Sequence, residues 1–140
     1  MMTRRIFFAF LFGLLAMSVS ARQQDGRVTD TAAGLDLEFS EMKHDLGTLS
    51  EKGPSAGHTF TVTNRGTAPV AILSATASCG CTHPEFSKKP LAPGESSDIK
   101  VRFVPAGQKG EFSKDIRLRF KSGSGKSKRV TLRITGVVVP

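Results

Sequence analysis

The chain has no tryptophan, no tyrosine and only two cysteines in its 140 residues. The cysteines, Cys79 and Cys81, are separated by a single residue. That spacing excludes the inter-sheet disulfide of antibody domains, and the missing tryptophan excludes the indole that packs against it. With phenylalanine as its sole aromatic, the core must be Phe, Ile, Leu and Val. Sustained helical periodicity is also lacking beyond the N-terminal apolar run, which argues against a helical bundle or an α/β fold. No Ser/His/Asp arrangement or paired-carboxylate motif is present. Gly107-Gln108-Lys109-Gly110 is too short for a phosphate loop and lacks its Ser or Thr. No catalytic residue is assigned, and the chain reads as non-enzymatic.

The N-terminus has the layout of a signal peptide. Arg4 and Arg5 give a basic start, Ile6 to Val19 is an apolar run, and Val19-Ser20-Ala21 offers small residues for cleavage. The run is short for a membrane span, which needs about 20 apolar residues. Residues 1–21 are therefore expected to be a signal peptide, and the protein to be periplasmic or secreted, with no transmembrane span in the mature chain. Residues 22–34 are polar and aperiodic and read as a flexible leader.

From Leu35 to residue 139 the pattern is one of strands. Leu35, Leu37 and Phe39 alternate with polar residues, as do His58, Phe60 and Val62. Ile99, Val101 and Phe103 repeat the pattern, followed by Phe112, Ile116, Leu118 and Phe120, then Val130, Leu132, Ile134 and Val137. Period two marks strands with one buried face. Val70 to Ala77 is more continuously apolar, as expected of a central strand or one buried on both faces. Turn signals recur between these segments at sandwich spacing. The expected fold is all-β: an immunoglobulin-like antiparallel β-sandwich of about seven strands held by apolar packing.

Charge narrows the partners. The chain carries 20 Lys and Arg against 12 Asp and Glu, and removing residues 1–21 takes away only Arg4 and Arg5. A basic exported chain favours an anionic glycan, a lipid headgroup or an envelope protein over nucleic acid. Arg117, Arg119, Arg129 and Arg133 fall at outward positions of the last two strands. If those strands pair, like charges face one another, a small cost that anion binding would explain. The alternative is a solvated face with its acids on a neighbouring strand.

Ser78-Cys79-Gly80-Cys81-Thr82-His83-Pro84 holds the remaining chemistry. In an oxidising compartment the cysteine pair reads first as a disulfide, with Gly80 allowing the sharp turn. Bridging across one residue adds little by loop closure, so a reversible, redox-active bridge is an alternative to a local staple. Reduced, Cys79 and Cys81 with His83, and with His58 if it lies at the same pole, make a donor set for Cu(I) or Zn. Otherwise no cofactor is expected. His44-Asp45 reads as a turn or strand-edge hydrogen bond, since neighbours on a strand face opposite ways.

Lys43-His44-Asp45-Leu46-Gly47-Thr48-Leu49, Phe60-Thr61-Val62-Thr63-Asn64-Arg65-Gly66, Ser78-Cys79-Gly80-Cys81-Thr82 and Leu91-Ala92-Pro93-Gly94-Glu95 resemble an exported bacterial family, domain of unknown function 1573. The resemblance runs from Phe39 to about Val138 and rests chiefly on the Ser-Cys-Gly-Cys-Thr string. A tryptophan often found after that string in the family is Phe86 here. The resemblance implies an immunoglobulin-like domain related to the sperm-protein and cilium-associated type, with no settled activity. The expected function is an exported, non-enzymatic binding or scaffolding module of the cell envelope. The alternative is a thiol-redox or soft-metal protein acting through the Cys-Gly-Cys turn.

Overall fold

The computed structural model describes residues 28–30 and 35–140. The expected signal peptide and most of the expected leader lie outside those residues. Nine strands are present among the described residues: β1 (Val28–Asp30), β2 (Leu37–Phe39), β3 (Lys43–Ser50), β4 (Ala56–Asn64), β5 (Val70–Ala77), β6 (Thr82–Phe86), β7 (Ser96–Phe103), β8 (Gly110–Ser122) and β9 (Ser127–Val139). They form a five-stranded sheet, ordered β1-β2-β4-β7-β6, and a four-stranded sheet, ordered β3-β9-β8-β5. The expected sandwich is the fold. No helix is long and apolar enough to cross a membrane among the described residues.

The alternating residues meet between the sheets. Phe39, Phe60, Val62, Ile99, Val101 and Phe103 from one sheet, and Ile72, Ile116, Leu118, Phe120, Leu132 and Ile134 from the other, are all buried in one cluster. Phe39 and Phe120 cross the interface edge to face with ring centroids 6.0 Å apart, the arrangement that aromatic quadrupoles favour. Burying each such side chain is worth about 1.5–3 kcal/mol. The Asn64-Arg65-Gly66 turn is fixed from inside: buried Asn64 donates through Nδ2 to the Ala68 and Leu91 carbonyls and accepts from Gly66 N–H.

Several expectations need correction. The four-stranded sheet is mixed, because β3 runs parallel to β9. β3 itself, which shows no two-residue alternation in the sequence, carries a register shift between Asp45 and Thr48. Gly47 there has φ 73°, and its N–H is held by Asp45 Oδ1 at 2.8 Å. β5 is an edge strand rather than a central one. Its apolar run conceals a bulge at Leu73, which is left 45% exposed. In β9 the inward residue is Val138, 3% exposed, rather than Val137, because alternation continues through Gly136. A Cβ on Gly136 would sit 2.7 Å from both the Phe112 ring and the Gly47 carbonyl oxygen, so only glycine lets that ring close the core. Finally, β1 falls within the expected leader and pairs antiparallel with β2.

Candidate functional site

The bulge in β5 sets up the outer face of the four-stranded sheet. Before it, Ile72 pairs with Phe120; after it, Ser74 pairs with Arg119 and Thr76 with Arg117. The extra residue therefore turns two hydroxyl side chains outward, beside arginines. Across β8 and β9, Arg119 stands directly opposite Arg129, and Arg117 opposite Thr131. Two cross-strand rows result, Ser74–Arg119–Arg129 and Thr76–Arg117–Thr131. Together these residues line a shallow depression of about 530 Å³.

Of the four arginines picked out in the sequence, the structure gathers three. Arg133 pairs with Asp115, its Nε donating to Oδ1 at 2.6 Å. The hydrogen bond from Arg133 holds the Asp115 carboxyl below its ordinary range, with smaller help from the charges of Arg133 and Arg117. Arg133 is raised in turn by the same bond. Among the described residues no carboxylate lies within ion-pair distance of Arg117, Arg119 or Arg129. Directly opposed like charges cost stability in a strand pair. An arriving phosphate, sulfate or carboxylate would relieve that repulsion and accept from several guanidinium donors.

The cysteine turn joins the two sheets at one pole. Cys79 and Cys81 form a disulfide with Cα atoms 5.4 Å apart. Ser78 ties the turn to β8: its N–H donates to the Asp115 carbonyl and its Oγ accepts from Asp115 N–H. Cys81 ties it to the end of β7, its carbonyl accepting from Val104 N–H. Thr82 Oγ1 lies 3.7 Å from the Cys79 sulfur and 3.8 Å from that of Cys81, and Cys81 N–H donates to Cys79 Sγ at 3.2 Å. Gly80 does not adopt a positive φ, and a Cβ there would meet nothing within 4 Å. The turn does not require glycine for either reason.

The structure does not assemble Cys79, Cys81, His83 and His58. Both sulfurs are in the bridge. Exposed His83 pairs with Arg102 across β6 and β7, while His58 pairs with the buried-face residue Val101. His58 instead stacks on His44, with centroids 3.5 Å apart and planes 6° from parallel, and meets the Phe60 ring edge to face. Glu41 completes the group: its Oε1 lies 3.2 Å from His44 Nδ1 and 2.5 Å from His58 Nε2. The His58 contact is close but lacks hydrogen-bond alignment, so that shielded Nε2 has no aligned partner. The sequence points to His58 as a ligand beside Cys79 and Cys81 and to His44 only as a turn or strand-edge residue, while Glu41 sits in a corner with no motif, so their meeting is visible only in the fold.

A family model described as "Protein of unknown function (DUF1573)" matches residues 37–138. No curated protein matches the chain. Among solved structures, the VesB protease of Vibrio cholerae is similar at 25% identity and TM-score 0.59, over 72% of this chain and 31% of that one. The chain thus spans under a third of the protease's length, and the protease's activity does not carry over. PapD-like domain 7 of human CEP192 is similar at 10% identity and TM-score 0.63, over 74% of this chain and 84% of that one. A protein of unknown function from Porphyromonas gingivalis W83 is similar at 17% identity and TM-score 0.59, over 72% and 46%. The latter two likenesses are likenesses of fold.

Proposed function

Because the chain belongs to the DUF1573 family of proteins of unknown function, we propose its function from its own surface: a non-enzymatic binding module, exported to the cell envelope, that holds an anionic glycan on the outer face of β5, β8 and β9. The observation that carries this reading is Arg119 facing Arg129, with Arg117 and three hydroxyls alongside and, among the described residues, no carboxylate in ion-pair reach. A shallow sheet face with its guanidinium groups set along two adjacent strands suits a linear polyanion. The hydroxyls of Ser74, Thr76 and Thr131 can add hydrogen bonds that a bare cationic patch would lack. Export remains part of the proposal, resting on the composition of residues 1–21.

The test replaces Arg117, Arg119 and Arg129 together with Gln. Retention on a sulfated polysaccharide should weaken at least tenfold while the melting temperature stays level or rises. Raising salt should weaken the unaltered protein in parallel, because exposed charges are screened. Vesicles of anionic lipid provide the second arm: binding to them but not to polysaccharide would move the ligand to a membrane surface. Retention indifferent to both salt and substitution would defeat the reading.

A second reading, thiol-disulfide exchange at Cys79 and Cys81, is favoured by one observation. The Thr82 hydroxyl reaches both sulfurs and a backbone N–H reaches one, contacts that would stabilise a thiolate after reduction. In the exchange an external dithiol would be oxidised to its disulfide as the pair took up two electrons and two protons. Equilibration with a glutathione buffer should then give a readily reduced bridge, more oxidising than structural disulfides. A bridge that stays oxidised at every glutathione ratio would leave it a local staple.

A further inference from the structure

We propose that Glu41, His44 and His58 form a binding site for a divalent transition-metal ion of borderline softness, and that the ion clamps the two sheets together at their open edge. The donor set is two imidazole nitrogens and one carboxylate oxygen, a combination suited to Zn(II), and to Cu(II) or Ni(II) as competitors. Among the described residues this is the group whose ligand atoms all fall within 4.8 Å of one another. In a tetrahedral zinc site, bonds of about 2.0–2.1 Å put neighbouring donors about 3.3 Å apart. The separation of 3.2 Å between Glu41 Oε1 and His44 Nδ1 already matches that. His58 Nε2 is shielded from solvent and has no aligned partner, which is costly for a ring nitrogen unless something takes it up.

The ligands come from two anchored stretches of chain, the corner running into β3 and the strand β4. Glu41 lies in the corner where the chain passes from β2 in one sheet to β3 in the other. That corner is hydrogen-bonded on both sides. Ser40 N–H donates to the Thr61 carbonyl of β4, and the Met42 carbonyl accepts from Arg133 N–H of β9. His44 is on β3 and His58 on β4, so an ion bound by all three would join the sheets directly. A site assembled on anchored elements costs little reorganisation on binding. Two adjustments are required: the 2.5 Å between Glu41 Oε1 and His58 Nε2 must open toward the donor spacing of such a site, and the rings must leave their stack. With the rings nearly parallel, an ion in the plane of one imidazole cannot lie in the plane of the other. His44, 34% exposed against 21% for His58, is the ring with room to tilt, and coordination would replace the stack.

Isothermal titration of the purified protein with zinc tests this, beside the variants His44→Ala, Glu41→Gln and His83→Ala. The unaltered protein and His83→Ala should each bind one equivalent, and His44→Ala and Glu41→Gln should bind at least tenfold more weakly. Zinc should raise the melting temperature of the unaltered protein and not that of His44→Ala. Cobalt in place of zinc should give the visible absorption of four-coordinate Co(II), a readout independent of any variant. Zinc uptake that survives His44→Ala, or that depends on His83, overturns the proposal. So does the absence of uptake by the unaltered protein.

Discussion

On the outer face of the five-stranded sheet Lys100 stands opposite Glu85, and Asp98 opposite Thr61, whose hydroxyl donates to it at 3.1 Å. Thr63 and Ser96 share a hydrogen bond at 2.7 Å, and Arg65 grips Glu38 through Nε and a second guanidinium nitrogen. That grip raises Arg65 above its ordinary range. On the outer face of the four-stranded sheet Arg119 stands opposite Arg129, and Arg117 opposite a threonine. Both surfaces are made by the same alternation and rest on the same core. The first sets Lys100 against Glu85 and Arg65 against Glu38, whereas the second, beyond the Asp115–Arg133 pair, stacks Arg119 on Arg129. Charge on a sheet face need not be decoration, and what separates the two cases is the partner across the ladder. Cross-strand pairs on such faces are worth about 0.2–1 kcal/mol, with like charges on the unfavourable side.

Matched reversals put the greatest pressure on this contrast. Arg119→Glu places an acid opposite Arg129 and should stabilise the fold by about 0.2–1 kcal/mol while reducing anion retention at least tenfold. Lys100→Glu places an acid opposite Glu85 and should destabilise by a similar amount, leaving retention unchanged. Denaturant midpoints and column retention measured on both proteins decide the matter. If the two substitutions shift stability in the same direction, the cross-strand account fails. If they shift retention equally, the anion is bound by net charge rather than by one face.

The sandwich could be read in advance because buried positions recur every second residue wherever a strand is regular. Phe60, Val62, Val101, Phe103, Ile116, Leu118, Leu132 and Ile134 are all inward, as their spacing required. Alternation stops being informative where a strand is irregular. The shift at Gly47 hid β3, and with it His44; the bulge at Leu73 made an edge strand look central. Gly136 has no side chain to register in a hydrophobic pattern, so the pattern points to Val137 where the buried residue is Val138. The arginine rows could be seen in outline from β8 and β9. Their hydroxyl border could not, since Ser74 and Thr76 reach it only through the bulge. The Glu41 group brings His58 of β4 to a corner and strand start that hold Glu41 and His44 three residues apart, and that spacing alone does not announce a site.

Asp115 marks where the unanswered face ends, and it carries the smallest predicted effect. Its carboxyl is held below the ordinary aspartate range, first by the Arg133 hydrogen bond. In the unfolded chain it returns to about 3.9. A carboxyl whose native value is the lower one adds stability that is complete above the unfolded value and is lost as pH falls through the native one. The pair is exposed, so the contribution is small. It should appear as a slope in stability below about pH 4 that Asp115→Asn flattens, and no change should appear between pH 6 and 8. The same substitution removes the acid that occupies Arg133 and adds a fourth unanswered guanidinium to the rows of Arg117 and Arg119–Arg129. Polysaccharide retention by Asp115→Asn should therefore move to higher salt. A shift to lower salt would mean that Asp115 serves the ligand by holding Arg133 in place, and the boundary between the answered and unanswered charges would have to be redrawn to include both.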